Sequence, residues 1–127
     1  MRYTFSKRER LCSQRSIEAL MQKGNPSVRC YPLAFVWKEM PLDAAVPAQV
    51  LISVSKRNMK RAVDRNYIKR MLREAYRLHK PEFFSLMNDH QIALQIHYMA
   101  RTPLPFEEIH RRVHEGLLKI VADLCTP

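Results

Sequence analysis

The sequence predicts a single α+β domain, a small mixed sheet with helices packed against it as a two-layer sandwich. Three observations predict it. Apolar residues alternate over three short runs, they recur at helical spacing over three others, and no repeat, low-complexity segment or linker divides the 127 residues. A chain of this length suits one hydrophobic core and leaves little for a second.

The elements follow in the order helix, strand, strand, helix, strand, helix. Residues 1–12 form a basic arm containing Arg2, Lys7, Arg8 and Arg10, without the continuous apolar stretch of a secretory signal. Ser13 to Lys23 reads as a short helix with Ile17, Leu20 and Met21 on one side, Ser13 or Ser16 as its cap and Gly24 as its stop. After a turn at Pro26, Tyr31 to Lys38 alternates as a strand, with Leu33, Phe35 and Trp37 on one face and Ala34, Val36 and Lys38 on the other. Met40 to Ala48, with Pro41, Asp43 and Pro47, is a connection. Gln49 to Ser55 is the next strand, presenting Val50, Ile52 and Val54 to one side and Leu51, Ser53 and Ser55 to the other.

Ala62 to Leu78 has neither Gly nor Pro and is rich in helix formers, and Pro81 follows, so the helix is predicted to end near His79. Gln91 to Tyr98 is the last strand, with Ile92, Leu94, Ile96 and Tyr98 opposing Ala93, Gln95 and His97. Pro103 and Pro105 lead into a final helix in which Phe106, Ile109, Val113, Leu117, Ile120 and Leu124 recur at helical spacing. Glu107 and Glu108 occupy its first turn, where the helix dipole favours negative charge.

An apolar fraction of 46% against 27% charged is that of a folded protein. No run approaches the roughly 18 apolar residues of a membrane-spanning helix. No membrane partner is expected, and the cytoplasm is the expected location. Cys12, Cys30 and Cys125 lack C-x-x-C spacing, which argues against both a disulfide framework and a structural zinc site and for buried or incidental thiols.

The net charge of +10 points to a polyanionic partner, and its distribution is uneven. Between Lys56 and Arg77 nine basic residues, Lys56, Arg57, Lys60, Arg61, Arg65, Lys69, Arg70, Arg73 and Arg77, face only Asp64 and Glu74, leaving +7 on this segment. At steps of about 100° from Arg65, the residues Arg65, Lys69, Arg73, Asn66, Arg77 and Arg70 fall from 0° to roughly 140°. Tyr67, Leu78, Met71, Ala75, Ile68 and Leu72 fall from roughly 200° to 340°. One face is basic and the other apolar. Acidic partners at i,i+4 are nearly absent from the basic arc, so its guanidinium groups repel one another unless a phosphate backbone relieves them. Arginine outnumbers lysine 14 to 8, which suits bidentate phosphate contact, and Asn66 adds a donor and acceptor for a sugar or base edge.

The run from Ile52 to Arg77, with Lys56-Arg57 at the end of a strand and then Arg65-Asn66, Lys69-Arg70 and Arg73-Glu74 on a helix, closely resembles the signature of the bacterial ribonuclease P protein component. The basic arm, the short helix ending at Gly24 and the amphipathic last helix extend the resemblance over almost the whole chain. It implies an RNA-binding subunit of an endoribonuclease, a ribonucleoprotein hydrolase that removes the 5′ leader of precursor tRNA. The partner RNA would perform the hydrolysis, and the protein alone would be inactive, with no catalytic residue of its own. Mg²⁺ would be held mainly by RNA, and the partners would be the catalytic RNA and precursor tRNA, with no obligate protein partner. By position, Lys56, Arg57, Lys60, Arg61, Arg65, Asn66, Lys69, Arg70, Arg73 and Arg77 would contact the catalytic RNA. Ile17, Met21, Phe35 and Lys56 would form a cleft for the single-stranded leader.

The sequence departs from the family at Tyr67, where another arginine is usual. The resemblance also implies a fold like that of ribosomal protein S5 domain 2, with four strands and a left-handed crossover around the basic helix. The additional short strand would lie near Val28 to Cys30.

A protein nuclease would need clustered carboxylates to hold Mg²⁺, and Asp64 and Glu74 stand apart in basic surroundings. His110 and His114 have a spacing that can bind metal, but no Glu follows His110 as H-E-x-x-H requires, so a partly buried or surface histidine pair is expected. Trp37, between Leu33 and the strand end, is expected in the core. The same electrostatics would also serve a structural or ribosomal RNA-binding protein without a role in tRNA processing.

Overall fold

Among the described residues seven elements follow one another: α1 (Gln14–Met21), β1 (Ser27–Cys30), β2 (Leu33–Glu39), β3 (Ala48–Val54), α2 (Ala62–Leu86), β4 (Ile92–Tyr98) and α3 (Phe106–Leu124). The computed structural model describes residues 9–11, 13–42 and 45–125, so Cys12 and most of the basic arm lie outside the described residues. The strands form one sheet in the order β1-β2-β4-β3. β2 pairs antiparallel with β1 and β4, whereas β3 runs parallel to β4. β1 is the short fourth strand that the family resemblance implied near Val28 to Cys30. Alternation alone passes it over because four residues are too short a run, although Ser27 and Arg29 are exposed and Val28 and Cys30 more buried as a strand requires.

Parallel neighbours cannot be joined by a hairpin, so the chain leaves β3, crosses one face of the sheet as α2 and returns as β4. α3 packs beside α2 on that face. Leu33, Phe35 and Trp37 from β2, Val50 and Val54 from β3, and Leu94, Ile96 and Tyr98 from β4 meet Ile68, Leu72, Ile109 and Val113 from the two helices in the main core. The opposite face carries a smaller cluster, in which Leu11 and Leu20 cover Ala93, with Ile17, Val36 and Leu51 packed around them. Tyr98 ties the sheet to the loop that enters α3: its buried hydroxyl donates to the Thr102 carbonyl (2.8 Å) and accepts from the Leu104 N–H (3.1 Å). Among the described residues no helix is long and apolar enough to cross a membrane.

Helix ends follow local chemistry. Ser13 caps α1, its hydroxyl accepting from the Ser16 N–H (3.4 Å). The helix closes at Met21, short of Lys23, where Asn25 folds back and its amide donates to the Ala19, Leu20 and Gln22 carbonyls at 2.8 to 3.2 Å. Gly24, at φ 94°, makes that reversal without steric cost.

α2 departs from expectation, for it passes through Pro81 and ends at Leu86 instead of near His79. Proline removes one helical hydrogen bond and costs about 3 kcal/mol within a helix. Burial offsets this: Pro81, Phe83 and Met87 are all enclosed, and Phe84 packs against the same core. Lys80 is enclosed as well and makes a buried ion pair with Glu9, Nζ lying 2.8 and 3.1 Å from the two carboxylate oxygens. Beside it, Arg10 bridges to Val50 and the Leu11 N–H donates to the Val50 carbonyl (3.0 Å), so the end of the arm covers the free edge of β3. Cys30 is a buried core thiol and Cys125 an exposed one.

Substitutions at two contacts test this packing. A Cβ at Gly116 would lie 2.2 to 2.7 Å from ring atoms of Phe35, which is fully enclosed. Gly116→Ala should therefore lose stability in urea unfolding, because overpacking costs about 1–3 kcal/mol and outweighs the gain of at most about 1 kcal/mol in helix propensity. Glu9→Ala should cost about 3–5 kcal/mol by leaving the Lys80 charge buried without its carboxylate, and adding Lys80→Met should recover most of that loss.

Candidate nucleic-acid interface

α2 is rotated about its axis relative to the arc read from its sequence. Its enclosed residues Met71, Ala75, Ile68, Leu72 and Tyr76 run from roughly 240° to 20°, so the buried arc is displaced toward Arg65. The cause is double packing, against the sheet on one side and α3 on the other. Arg65 and Lys69 become half-buried at the edge, while Asn66, Arg70 and Arg73 stand exposed and Arg77 is partly so. Tyr67 and Leu78, at the near edge of the expected apolar arc, face solvent instead, at 45% and 36% exposure. Tyr67 thereby joins the surface of Asn66 and Arg70, together with exposed Val63.

The loop between β3 and α2 is held from inside. Met59 is buried, its N–H donates to the Ser55 carbonyl (2.9 Å), and the Asn58 amide donates to the Met99 carbonyl (2.6 Å). Arg65 Nη1 donates to the Met59 and Lys60 carbonyls at 3.0 and 2.8 Å. One arginine of the motif therefore shapes the loop, and the loop presents Lys56, Arg57, Lys60 and Arg61 outward. The N-terminus of α2 has no side-chain cap, and its first N–H groups add to the positive field there.

Charges within the surface differ in availability. Glu74 is engaged by Arg77 through two hydrogen bonds (2.5 and 3.0 Å), and the guanidinium holds the Glu74 carboxyl below its ordinary range. Arg77 is correspondingly committed within the protein. Arg70 and Arg73 lie on the exposed side of the same turns, and with the loop they form a basic surface continuous from Lys56 to Arg73.

The cleft expected from Ile17, Met21, Phe35 and Lys56 is corrected at Phe35. Strand alternation puts Phe35 on the face covered by α3, fully enclosed against Gly116, where no ligand reaches it. The α1 face carries its neighbours Ala34 and Val36. Ile17 is half-buried in the cluster below α1, Met21 is 57% exposed at the helix end, and Lys56 is exposed just past β3. Beside α1 the register aligns Arg29, Ala34, His97 and Ser53 in one row across the four strands. The Ser53 hydroxyl lies 2.7 Å from His97 Nδ1 and accepts from the Gln95 amide (3.1 Å). Burial lowers the His97 pKa, which keeps the ring neutral at physiological pH. The signal for this row was present in the polar-leaning parity of Gln95, His97 and Ser53.

A family model described as Ribonuclease P matches residues 5–121. The chain belongs to the ribonuclease P protein family. It is 33% identical over 124 residues to the ribonuclease P protein component of Porphyromonas gingivalis, covering 96% of this chain and 90% of that one. It is 47% identical over 113 residues to the ribonuclease P protein component of Chlorobaculum tepidum, covering 82% and 73%. The fold is similar to the solved structure of the Staphylococcus aureus RNase P protein, with a TM-score of 0.68 at 22% identity over 93% of this chain and 98% of that one. As a ribonuclease P protein component, the chain is a subunit that functions in tRNA processing within an endoribonuclease assembly, and a structural or ribosomal RNA-binding role is not favoured.

Tyr67 provides a direct test of the exposed surface. Tyr67→Ala should leave the melting temperature within error of the parent while weakening binding to ribonuclease P RNA by about 1–3 kcal/mol, the worth of one base stacked on an aromatic ring. Titration of labelled RNA measures it.

Proposed function

We propose that this chain binds the catalytic RNA of ribonuclease P through the surface of Lys56, Arg57, Lys60, Arg61, Asn66, Tyr67, Arg70 and Arg73, and leaves hydrolysis to that RNA. The observation that carries the reading is the continuity of exposed basic side chains over the loop and the outer face of α2, with its exposed carboxylate, Glu74, taken up by Arg77. Such a surface relieves its own repulsion by neutralising phosphates. Arg65 and Lys69, half-buried at its edge, support it, and Arg65 does so by holding the loop.

The single-stranded leader lies, in this reading, along the row of Arg29, Ala34, His97 and Ser53 beside α1, with Met21 and Lys56 at its ends. A neutral His97 hydrogen-bonded to Ser53 suits contact with sugar or base edges, and Arg29 and Lys56 suit phosphates. Mg²⁺ in the holoenzyme is assigned to RNA phosphates. The donor set of the basic surface does not fit it: Asp64 and Glu74 are ten residues apart on one helix, about 15 Å along its axis, and Glu74 is occupied by Arg77.

The test combines purified protein, ribonuclease P RNA of the same source and a precursor tRNA at physiological salt and limiting Mg²⁺, with parallel reactions lacking protein or RNA. Leader removal that requires the RNA and is strongly stimulated by the protein is the expected result. Cleavage by protein alone, or RNA-only cleavage unaffected by the protein, overturns the reading. Arg70→Ala with Arg73→Ala should retain the parent's melting temperature, lose stimulation at limiting Mg²⁺ and reduce the salt dependence of RNA binding by about 0.7–0.9 in log–log slope for each phosphate no longer neutralised.

A further inference from the structure

Away from the basic surface, the seam between α2 and α3 gathers three imidazoles and a carboxylate. His79 and Glu82 stand three residues apart on α2, and His110 and His114 four apart on α3, so each pair shares one face of its helix. Packing of the helices turns the two faces together. The His79 ring stacks on His114 with centroids 4.5 Å apart and a 10° tilt, and its centroid lies 4.2 Å from that of His110. His114 Nε2 is 3.4 Å from the Glu82 carboxylate, and His79 Nε2 is 3.4 Å from His110 Nδ1. One donor atom from each of His79, Glu82 and His114 lies within 4.8 Å of the other two.

We propose that His79, Glu82 and His114 bind a divalent transition-metal ion of the zinc class, clamping α2 to α3, with His110 orienting the His79 ring. Two imidazoles and a carboxylate select zinc-class ions over Mg²⁺, which separates this site from any RNA-held magnesium. Tetrahedral ligation at about 2.0–2.2 Å places donor atoms about 3.3–3.5 Å apart. The His114–Glu82 separation of 3.4 Å already meets that spacing. The wider separations close by side-chain rotation, for which the side chains of His114 and Glu82, 39% and 54% exposed, have room. His79 is presented as a neutral ligand, because burial and the neighbouring His110 and His114 lower its pKa to about 4 against the weaker pull of Glu82. Phe83, Leu86 and Leu118 line the adjoining pocket and give the site one apolar side.

The experiment uses the full chain without a polyhistidine tag, stripped with chelator and then titrated with Zn²⁺ alone, following the melting temperature and the heat of binding. A melting temperature that rises with Zn²⁺ and is unmoved by Mg²⁺ is expected, since an ion bound only by the folded state stabilises it. His114→Gln and Glu82→Gln, both at exposed side chains, should fold as the parent does and weaken Zn²⁺ binding by more than the roughly 10–100-fold that loss of an outer partner costs. His90→Ala, remote from the seam beside Glu39, should leave the Zn²⁺ response intact. Absence of a Zn²⁺ response in the parent overturns the proposal. So does a response equally strong in His114→Gln and Glu82→Gln, which would mean adventitious binding elsewhere.

Discussion

The parallel pairing of β3 with β4 is the constraint on which the remaining structure depends. Two parallel strands side by side require a crossover across one face, and the segment available for it is α2. β4 lies between β2 and β3, with most of its residues enclosed, while α3 packs nearest to β1 and β2 and the crossover helix packs nearest to β3. Its apolar side is held in the main core, and its outer side is the surface left for arginines. The placement of the basic face thus follows from strand order as much as from charge.

Rigidity of that face comes from groups that make no display of charge themselves. Met59, Asn58 and the half-buried Arg65 hold the loop from behind, and the Glu9–Lys80 pair with Pro81 and Phe83 anchors the far end of α2. A guanidinium used as an internal donor fixes where the exposed cations stand, which lowers the ordering cost of meeting a phosphate backbone. Motif arginines of one spacing therefore divide into different tasks. Arg65 shapes, Arg77 neutralises Glu74, and Arg70 and Arg73 remain available outward.

The two faces of the sheet differ in character for a related reason. Period-two alternation sends Leu33, Phe35 and Trp37 into the core and leaves Ala34 and Val36 opposite. α1 is short and covers part of that second face. The row Arg29, Ala34, His97 and Ser53 lies beside its footprint, where polar side chains are tolerated because they hydrogen-bond one another and remain partly hydrated.

Composition, period and spacing alone determined the α+β class, three of the four strands, the extent of α3, and the concentration of charge between Lys56 and Arg77. Those features are local, and a window of ten to twenty residues contains their whole cause. The short strand β1 came only through the family resemblance, because a run of four residues is too short for its alternation to stand out. Tertiary structure decided the rest. It carried α2 through Pro81 by burying Phe83 and Met87, turned Tyr67 outward while enclosing Tyr76 on the same helix, and put Phe35 beneath Gly116. It also brought Glu9 to Lys80 and Glu82 to His114, pairs that stand 71 and 32 residues apart along the chain. Such pairings depend on how helices pack and rotate against a common core, and no local period encodes that rotation.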